Sequence, residues 1–378
     1  MHPRSTRSAV SELIDHLSEI GQRRPTSSQE AAAAAYFNGR LRSVGLKVAT
    51  DRLSAARRSS LTSPLLMGAA AGAALLSLQA PWLSCAALLL IWVLLLIDGL
   101  IAPLPVLAPR GESQNIVGTR EIGESGGLRP RAPRWRVVML APLDSSNAPR
   151  GLRRLAGSDR SATMGRITAV YVAAVIAALA ALLPTQPWAS AQIGPTIYLL
   201  LIALGGMLPV TPSHTDGGAY ALAATFDAAR QLSGLRHTEV WAVGLGATSS
   251  DNSGLRDLLS RYPFPAEHTL FVVVAPLHGN TLAFATREGA VRPRAADRLL
   301  LRLVGEVDAA DPAIDADPRP LQIDQSSGLL LLRQQRRALS LFSPTAPADP
   351  RVVERSSRLL IGLVQRLEAL EVARESAP

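Results

Sequence analysis

Residues 137–146 read VVMLAPLDSS. An unbroken apolar run ends in a short polar loop that carries one carboxylate, Asp144. A strand covered on both faces reads this way, and it delivers polar groups to the edge of a sheet. Three more runs have the same character: EVWAVGLG at 239–246, TLFVVVAPL at 269–277 and ALSLF at 338–342. None alternates apolar with polar, so the four predict a mostly parallel sheet sandwiched between helices.

Helical patterns fill the intervals. Val10, Leu13, Ile14, Leu17 and Ile20 mark one face of an amphipathic helix. The next helix opens on a capping box, Ser27 to Glu30, and closes at Gly45, which can supply a left-handed residue. DGGAYALAATFDAARQLSG reads as a helix begun by Asp216, and DLLSRY, AADRLLLRLVGEV and residues 349–373 supply others. The acidic, proline-rich stretch 308–320 reads as a solvated loop.

Two regions break this alternation. Residues 61–105 and 166–210 are almost wholly apolar, each interrupted once, by QAPW at 79–82 and by PTQPW at 184–188. Each half approaches the ~20 apolar residues needed to cross a bilayer. Trp82 and Trp188 stand at the breaks, where interfacial aromatics belong. The expectation is two transmembrane hairpins, four spans in all; the rival is buried helices of a large soluble core. Small residues in MGAAAGAALL and AVIAALAALL would let the helices approach closely. The soluble remainder, 1–60, 106–165 and 211–378, is then one discontinuous α/β domain.

Charge orients this arrangement. Residues 1–60 carry 10 Lys+Arg against 5 acids, and residues 104–166 carry 11 against 5. Residues 211–378 carry 18 against 19, and the hairpin breaks carry none. The basic excess flanks the spans, so the positive-inside rule places both termini and the soluble domain in the cytoplasm of a multi-pass cell-membrane protein. The first twenty residues lack the apolar core of a signal peptide. Nucleic-acid binding would require basic residues interleaved with aromatics on one face, and no such stretch occurs. One cysteine, Cys85, excludes a disulfide framework and a cysteine zinc site. Asp98, within LLLIDGLIAP, reads as an interfacial group that reaches water, with an ion or proton site in a transporter as its rival.

In open α/β sheets, ligands sit at the carboxyl ends of the strands. The loops to watch are therefore Pro142–Ser145, Gly246–Ser250, Pro276–His278 and Asp324–Ser327, with His214–Asp216 at a helix start. Ser145 and Ser146 lack the Gly-x-Ser-x-Gly elbow of serine hydrolases, and GLGATSS lacks the lysine of a P-loop. SSDNSG at 249–254 reads as a polar loop capping the next helix rather than a metal turn.

Five segments in order resemble one family. LIDHLSEIGQRRPTSSQEAAAAAYFNGRLRSVGLKV is similar to its opening helices, and ESQNIVGTR to the strand that follows. RVVMLAPLDSS resembles the strand ending His-x-Asp-Ser, DGGAYALAATFDAARQL the Asp-Asn-x-x-Gly helix start, and HTEVWAVGLGATSS the strand ending Gly-Ala-Glu-Glu. These are the co-catalytic di-zinc exopeptidases of the aminopeptidase Y and glutamate carboxypeptidase type, whose relatives include transferrin receptor and nicastrin. The resemblance implies a zinc-exopeptidase-like three-layer α/β sandwich, here interrupted by the two hairpins.

The resemblance also implies a site in which five side chains hold two zinc ions. Carried across, the histidine of His-x-Asp falls on Pro142, and the bridging aspartate on Asp216. The general base and the ligand of the Glu-Glu pair fall on Thr248 and Ser249. The next ligand falls near Pro276, and the final histidine on Gln325, after Asp324. Asp144 matches a carboxylate that orients a ligand without touching the metal. A catalytic zinc needs about three protein ligands, and Asp216 alone cannot hold one. The expectation is a degenerate, non-catalytic member with no cofactor, bound to the bilayer and to a membrane or cytoplasmic protein partner. The alternative is an active metallo-aminopeptidase whose zinc site is rebuilt from His214, Asp216 and His278.

Overall fold

The computed structural model describes residues 3–57, 61–100, 107–120, 122, 133–145, 151–157, 159–183, 187–208, 217–277, 279, 281–310, 319–324, 327–343 and 350–376. In chain order the helices are α1 (Pro3–Ile20), α2 (Ser28–Ser43), α3 (Thr62–Leu76), α4 (Pro81–Leu100), α5 (Arg160–Leu182), α6 (Pro187–Met207), α7 (Gly217–Gln231), α8 (Ser253–Arg261), α9 (Arg298–Ala310), α10 (Ser327–Arg333) and α11 (Arg351–Ser376). The strands are β1 (Lys47–Ala56), β2 (Arg110–Arg120), β3 (Trp135–Pro142), β4 (Thr238–Leu245), β5 (Thr269–Val274), β6 (Ala283–Glu288), β7 (Arg294–Ala295), β8 (Arg319–Ile323) and β9 (Arg337–Phe342).

The four apolar runs are the centre of one mixed sheet. β4, β3, β5 and β9 lie side by side and parallel, and every residue of β4 and β5 is buried. β2 and β1 extend one side antiparallel; β6, with β7 and β8 beside it, extends the other. The stretch read as a solvated loop to residue 320 ends sooner, because β8 begins at Arg319 and pairs with β6; residues 311–318 lie outside the described set.

Helices cover both faces. On one, Leu13 and Leu17 of α1, Phe37 of α2, the alanines of α7, Leu300 of α9 and Leu360 of α11 pack with Val137, Met139 and Val272. On the other, Leu255 and Leu258 of α8 and Leu331 of α10 pack with Val138, Leu140, Trp241 and Phe271. This is the expected three-layer order. The capping box forms with a shift: Ser27 accepts from the Glu30 amide at 3.2 Å, while the Glu30 carboxylate accepts from Thr26 N–H at 2.6 Å. Gly45 takes the left-handed φ of +82° that ends α2.

α3 to α6 form a separate four-helix bundle with its own core, including Met67, Ala70, Leu88, Val170, Ala173 and Leu199. α3 packs on α6, and α4 on α5. α4, α5 and α6 are long and apolar enough to cross a membrane. α3, expected as a fourth span, is 15 residues long, about 22 Å at 1.5 Å per residue, short of a hydrocarbon core of ~30 Å.

Both helix pairs leave the sheet at the same end. α3 and α4 stand where the turn between β1 and β2 would be: Ala56 pairs with Arg110, and Leu61 N–H donates to Leu107 O at 3.0 Å. β2 runs antiparallel to β4, so its Arg110 end lies at the carboxyl end of β4. α5 and α6 are the next α-helices in the chain after the carboxyl end of β3. The bundle therefore stands over the strand ends. It is tied there by Arg333 Nη2 to Gly99 O at 2.7 Å and by Arg160 N–H to Asp324 Oδ2 at 2.7 Å. A Cβ on Gly99 would come within 2.9 Å of Val291, so α4 and the β6–β7 loop touch closely.

Candidate functional site

The strand ends and the head of the bundle enclose a cavity of about 680 Å³. Pro142 and Asp144 after β3, Thr248–Asn252 after β4 and Pro276 after β5 supply its floor. Leu66 of α3, Leu95 and Asp98 of α4 and Arg166 of α5 supply the facing wall. The right-handed crossovers of a parallel sheet bring these loops together although they are far apart in the chain.

Asp144 is buried, and its carboxylate is committed to the neighbouring loop. Oδ1 accepts from Thr248 N–H at 3.1 Å and from the Thr248 hydroxyl, and Oδ2 accepts from Ser249 N–H at 2.7 Å. Of the expected site residues, Asp144, Thr248 and Ser249 are thus brought into direct contact. The carboxylate that would orient a metal ligand instead holds the backbone at the two positions where the family resemblance puts a glutamate pair. His214, Asp216 and His278, with Gln325, lie outside the described residues.

The clamp continues along the loop, through residues the sequence did not single out as functional. Gly246 N–H donates to Asn115 Oδ1 at 3.1 Å, and Ala247 N–H to Glu30 Oε1 at 2.7 Å. Four consecutive amides, 246 to 249, therefore end on side chains from β2, α2 and the β3 loop. This satisfies a buried turn that could not pair within a ladder. It also holds Ala247 at a left-handed φ of +51°. The second Glu30 oxygen accepts from the Ser113 hydroxyl at 3.1 Å. Burial, and then the like charge of Asp144, push the Glu30 carboxyl up to about 7; the amides of Ala247 and Thr26 and the Ser113 hydroxyl work the other way.

Beneath this loop, Arg23 is fully buried, with Nε donating to Leu143 O at 2.7 Å. Its backbone exchanges bonds with Ser145, which pins the loop carrying Asp144. Two signals were available in the sequence. Asn115 stands beside Ile116 and Val117 in an otherwise largely polar strand, and Glu30 is the acidic half of a capping box. Each was readable as local structure, and neither announced a partner 131 or 217 residues away.

Asp98 does more than reach water. It lines the cavity together with Arg166 of α5 and Arg333 of α10. The SSDNSG loop behaves as a cap, with Asp251 Oδ1 accepting from Ser253 N–H at 3.0 Å ahead of α8.

Among the described residues, the donors present do not fit zinc. Among the described residues no group of three or more His, Cys, Asp or Glu side chains could hold a metal ion. Two of the strand ends where ligands would stand carry Pro142 and Pro276, which have no donor atoms in their side chains. Both Asp144 oxygens are taken up by amides.

No protein-family model matches the chain, and no curated protein matches it. Solved structures do. An aminopeptidase from Aneurinibacillus sp. strain AM-1 aligns at a TM-score of 0.54 and 11% identity, over 95% of this chain and 93% of its own. BSAP, a zinc aminopeptidase from Bacillus subtilis, aligns at 0.53 and 10%, over 96% and 95%. Glutaminyl cyclase from Tannerella forsythia aligns at 0.50 and 11%, over 94% and 97%. The chain is thus similar in fold to zinc-dependent aminopeptidases along nearly its whole length.

Proposed function

We propose that this chain is an integral membrane protein whose aminopeptidase-like domain is a scaffold for a protein or peptide partner and does not hydrolyse peptides. The observation that carries the reading is the clamp at the strand ends. Asp144 binds the backbone of Thr248 and Ser249, at the positions where a general base and a metal ligand would be needed. A peptidase of this kind requires a metal to acidify water and a base to take its proton. Threonine and serine supply neither, and Pro142 and Pro276 supply no ligand.

The three long apolar helices support residence in the bilayer, and the short α3, packed on α6, is the partner of α4 in the first hairpin. The arginine excess flanking them supports a cytoplasmic domain. Metal analysis of detergent-purified protein, with leucine p-nitroanilide hydrolysis on the same sample, tests the reading. Sub-stoichiometric zinc and no turnover are expected. Near-stoichiometric zinc that disappears in His214→Ala, together with hydrolysis, would establish the rebuilt metallopeptidase instead. A detergent pull-down analysed by mass spectrometry then identifies the partner.

A further inference from the structure

The cavity is bounded on one side by the heads of helices read as membrane spans, and on that reading it lies at the height of lipid headgroups. Its volume of about 680 Å³ falls within the ~300–1,000 Å³ of ligand pockets. The lining is mixed. Leu66, Leu95 and Ile167 form an apolar wall on the bundle side. The charged lining comprises three arginines, 166, 256 and 333, and four aspartates, 98, 144, 251 and 324. Near-balance of charge disfavours a purely anionic guest.

Several of these charges are already engaged. Asp144 holds the 248–249 amides, Asp324 holds Arg160 N–H, and Asp98 is engaged as well. Two groups on one loop are not. The exposed Arg256 guanidinium has no protein partner among the described residues, and neither does Asp251 Oδ2, whose sister oxygen caps Ser253. The two line the same cavity and form no ion pair with each other, which leaves one donor fork and one acceptor for a guest carrying both signs.

We propose that this cavity binds a zwitterionic phospholipid, its phosphate held by Arg256, its primary ammonium by Asp251 and its glycerol end against the apolar wall. The assignment rests on the membrane-spanning reading above. It goes beyond that reading by giving the cavity to a lipid and leaving a protein partner to the outer surfaces. A peptide carries both charges too, but it would have to pass under the bundle, whereas a lipid is already at the mouth.

The test is native mass spectrometry of the full chain, released from carbonate-washed membranes and exchanged into nanodiscs of phosphatidylethanolamine, phosphatidylcholine or phosphatidylglycerol. Retained phosphatidylethanolamine is expected at least fivefold above the other two, falling at least fivefold in Arg256→Gln and in Asp251→Asn. The asparagine keeps the oxygen that caps Ser253, and Arg256 is exposed, so both variants should fold. Equal retention of all three lipids, or unaltered retention in both variants, sinks the proposal while leaving the membrane reading intact. Equally tight binding of soluble phosphoethanolamine, or a peptide displaced by the lipid, also overturns it. Recovery of the protein in the carbonate supernatant removes the membrane reading and this proposal together.

Discussion

Around the sheet, the side chains withdrawn from solvent are large: Phe37, Met139, Phe226 and Phe271 are each at most 1% exposed. In the bundle, alanines 70, 71, 74, 173, 174 and 177 are buried, while Leu83, Leu90, Leu182 and Leu204 stand outward at 57–63% exposure. The first region keeps its bulk inside; the bundle keeps some there, Met67, Leu88 and Leu199 among it, but turns many leucines outward. Water drives the first arrangement, because burying aliphatic and aromatic area is favourable only against a polar solvent. The second is what close helix contact looks like when the surroundings are themselves apolar. The comparison supports membrane residence independently of span length.

The contrast can be broken by mutation, and the largest effect belongs to the sheet. Phe271→Ala should cost ~3–5 kcal/mol, through lost transfer energy and the cavity left behind. Chemical denaturation of the detergent-solubilised protein measures it. Leu90→Arg places a charge midway along α4, and should lose ~2.5–3.5 kcal/mol of insertion free energy. Glycosylation mapping of insertion reads this directly. If the variant is instead more soluble and equally stable without detergent, the bundle does not face lipid.

A smaller effect sharpens the comparison at the junction of the two regions. Asp144→Asn turns one acceptor into a donor facing the 248–249 amides, and should cost ~1–3 kcal/mol. The same denaturation assay detects it; a value near zero would mean that the loop is held elsewhere. Glu30 gives the gentlest signal, spread over pH. Its folded value of about 7 lies above the ordinary 4.5, so the folded state holds the proton more tightly than the unfolded chain. The contribution of Glu30 to stability should therefore be fully present below pH 4.5, fall as pH rises towards 7, and level off beyond, losing on the order of 1 kcal/mol per pH unit. Melting temperatures across that range check it, and the slope should vanish in Glu30→Gln.

Much of this was legible in one dimension. The four central strands were readable because burial on both faces leaves a continuous apolar run, and β3, β4, β5 and β9 fall where those runs are. The apolar helices were equally plain, although α3 proved a turn or two shorter than a span. β6, β7 and β8 were missed. AFATRE has only three buried positions, and β7 is two residues long, so neither presents a period to detect. At the site, the residue types at 142, 248, 249 and 276 were readable at once, since residue identity needs no coordinates. The partners of Asp144 were not.

Periodicity and composition are local properties, so residue order was enough to establish the central strands and the apolar helices. Convergence is not local. Residues 30, 115, 144 and 246–249 meet because crossovers and pairing register carry distant loops to one sheet edge, and the helical bundle covers that edge because both insertions depart from it. No window along the chain encodes those distances. The clamp, the place of Asp98 and the cavity beneath the bundle emerged with the packed fold.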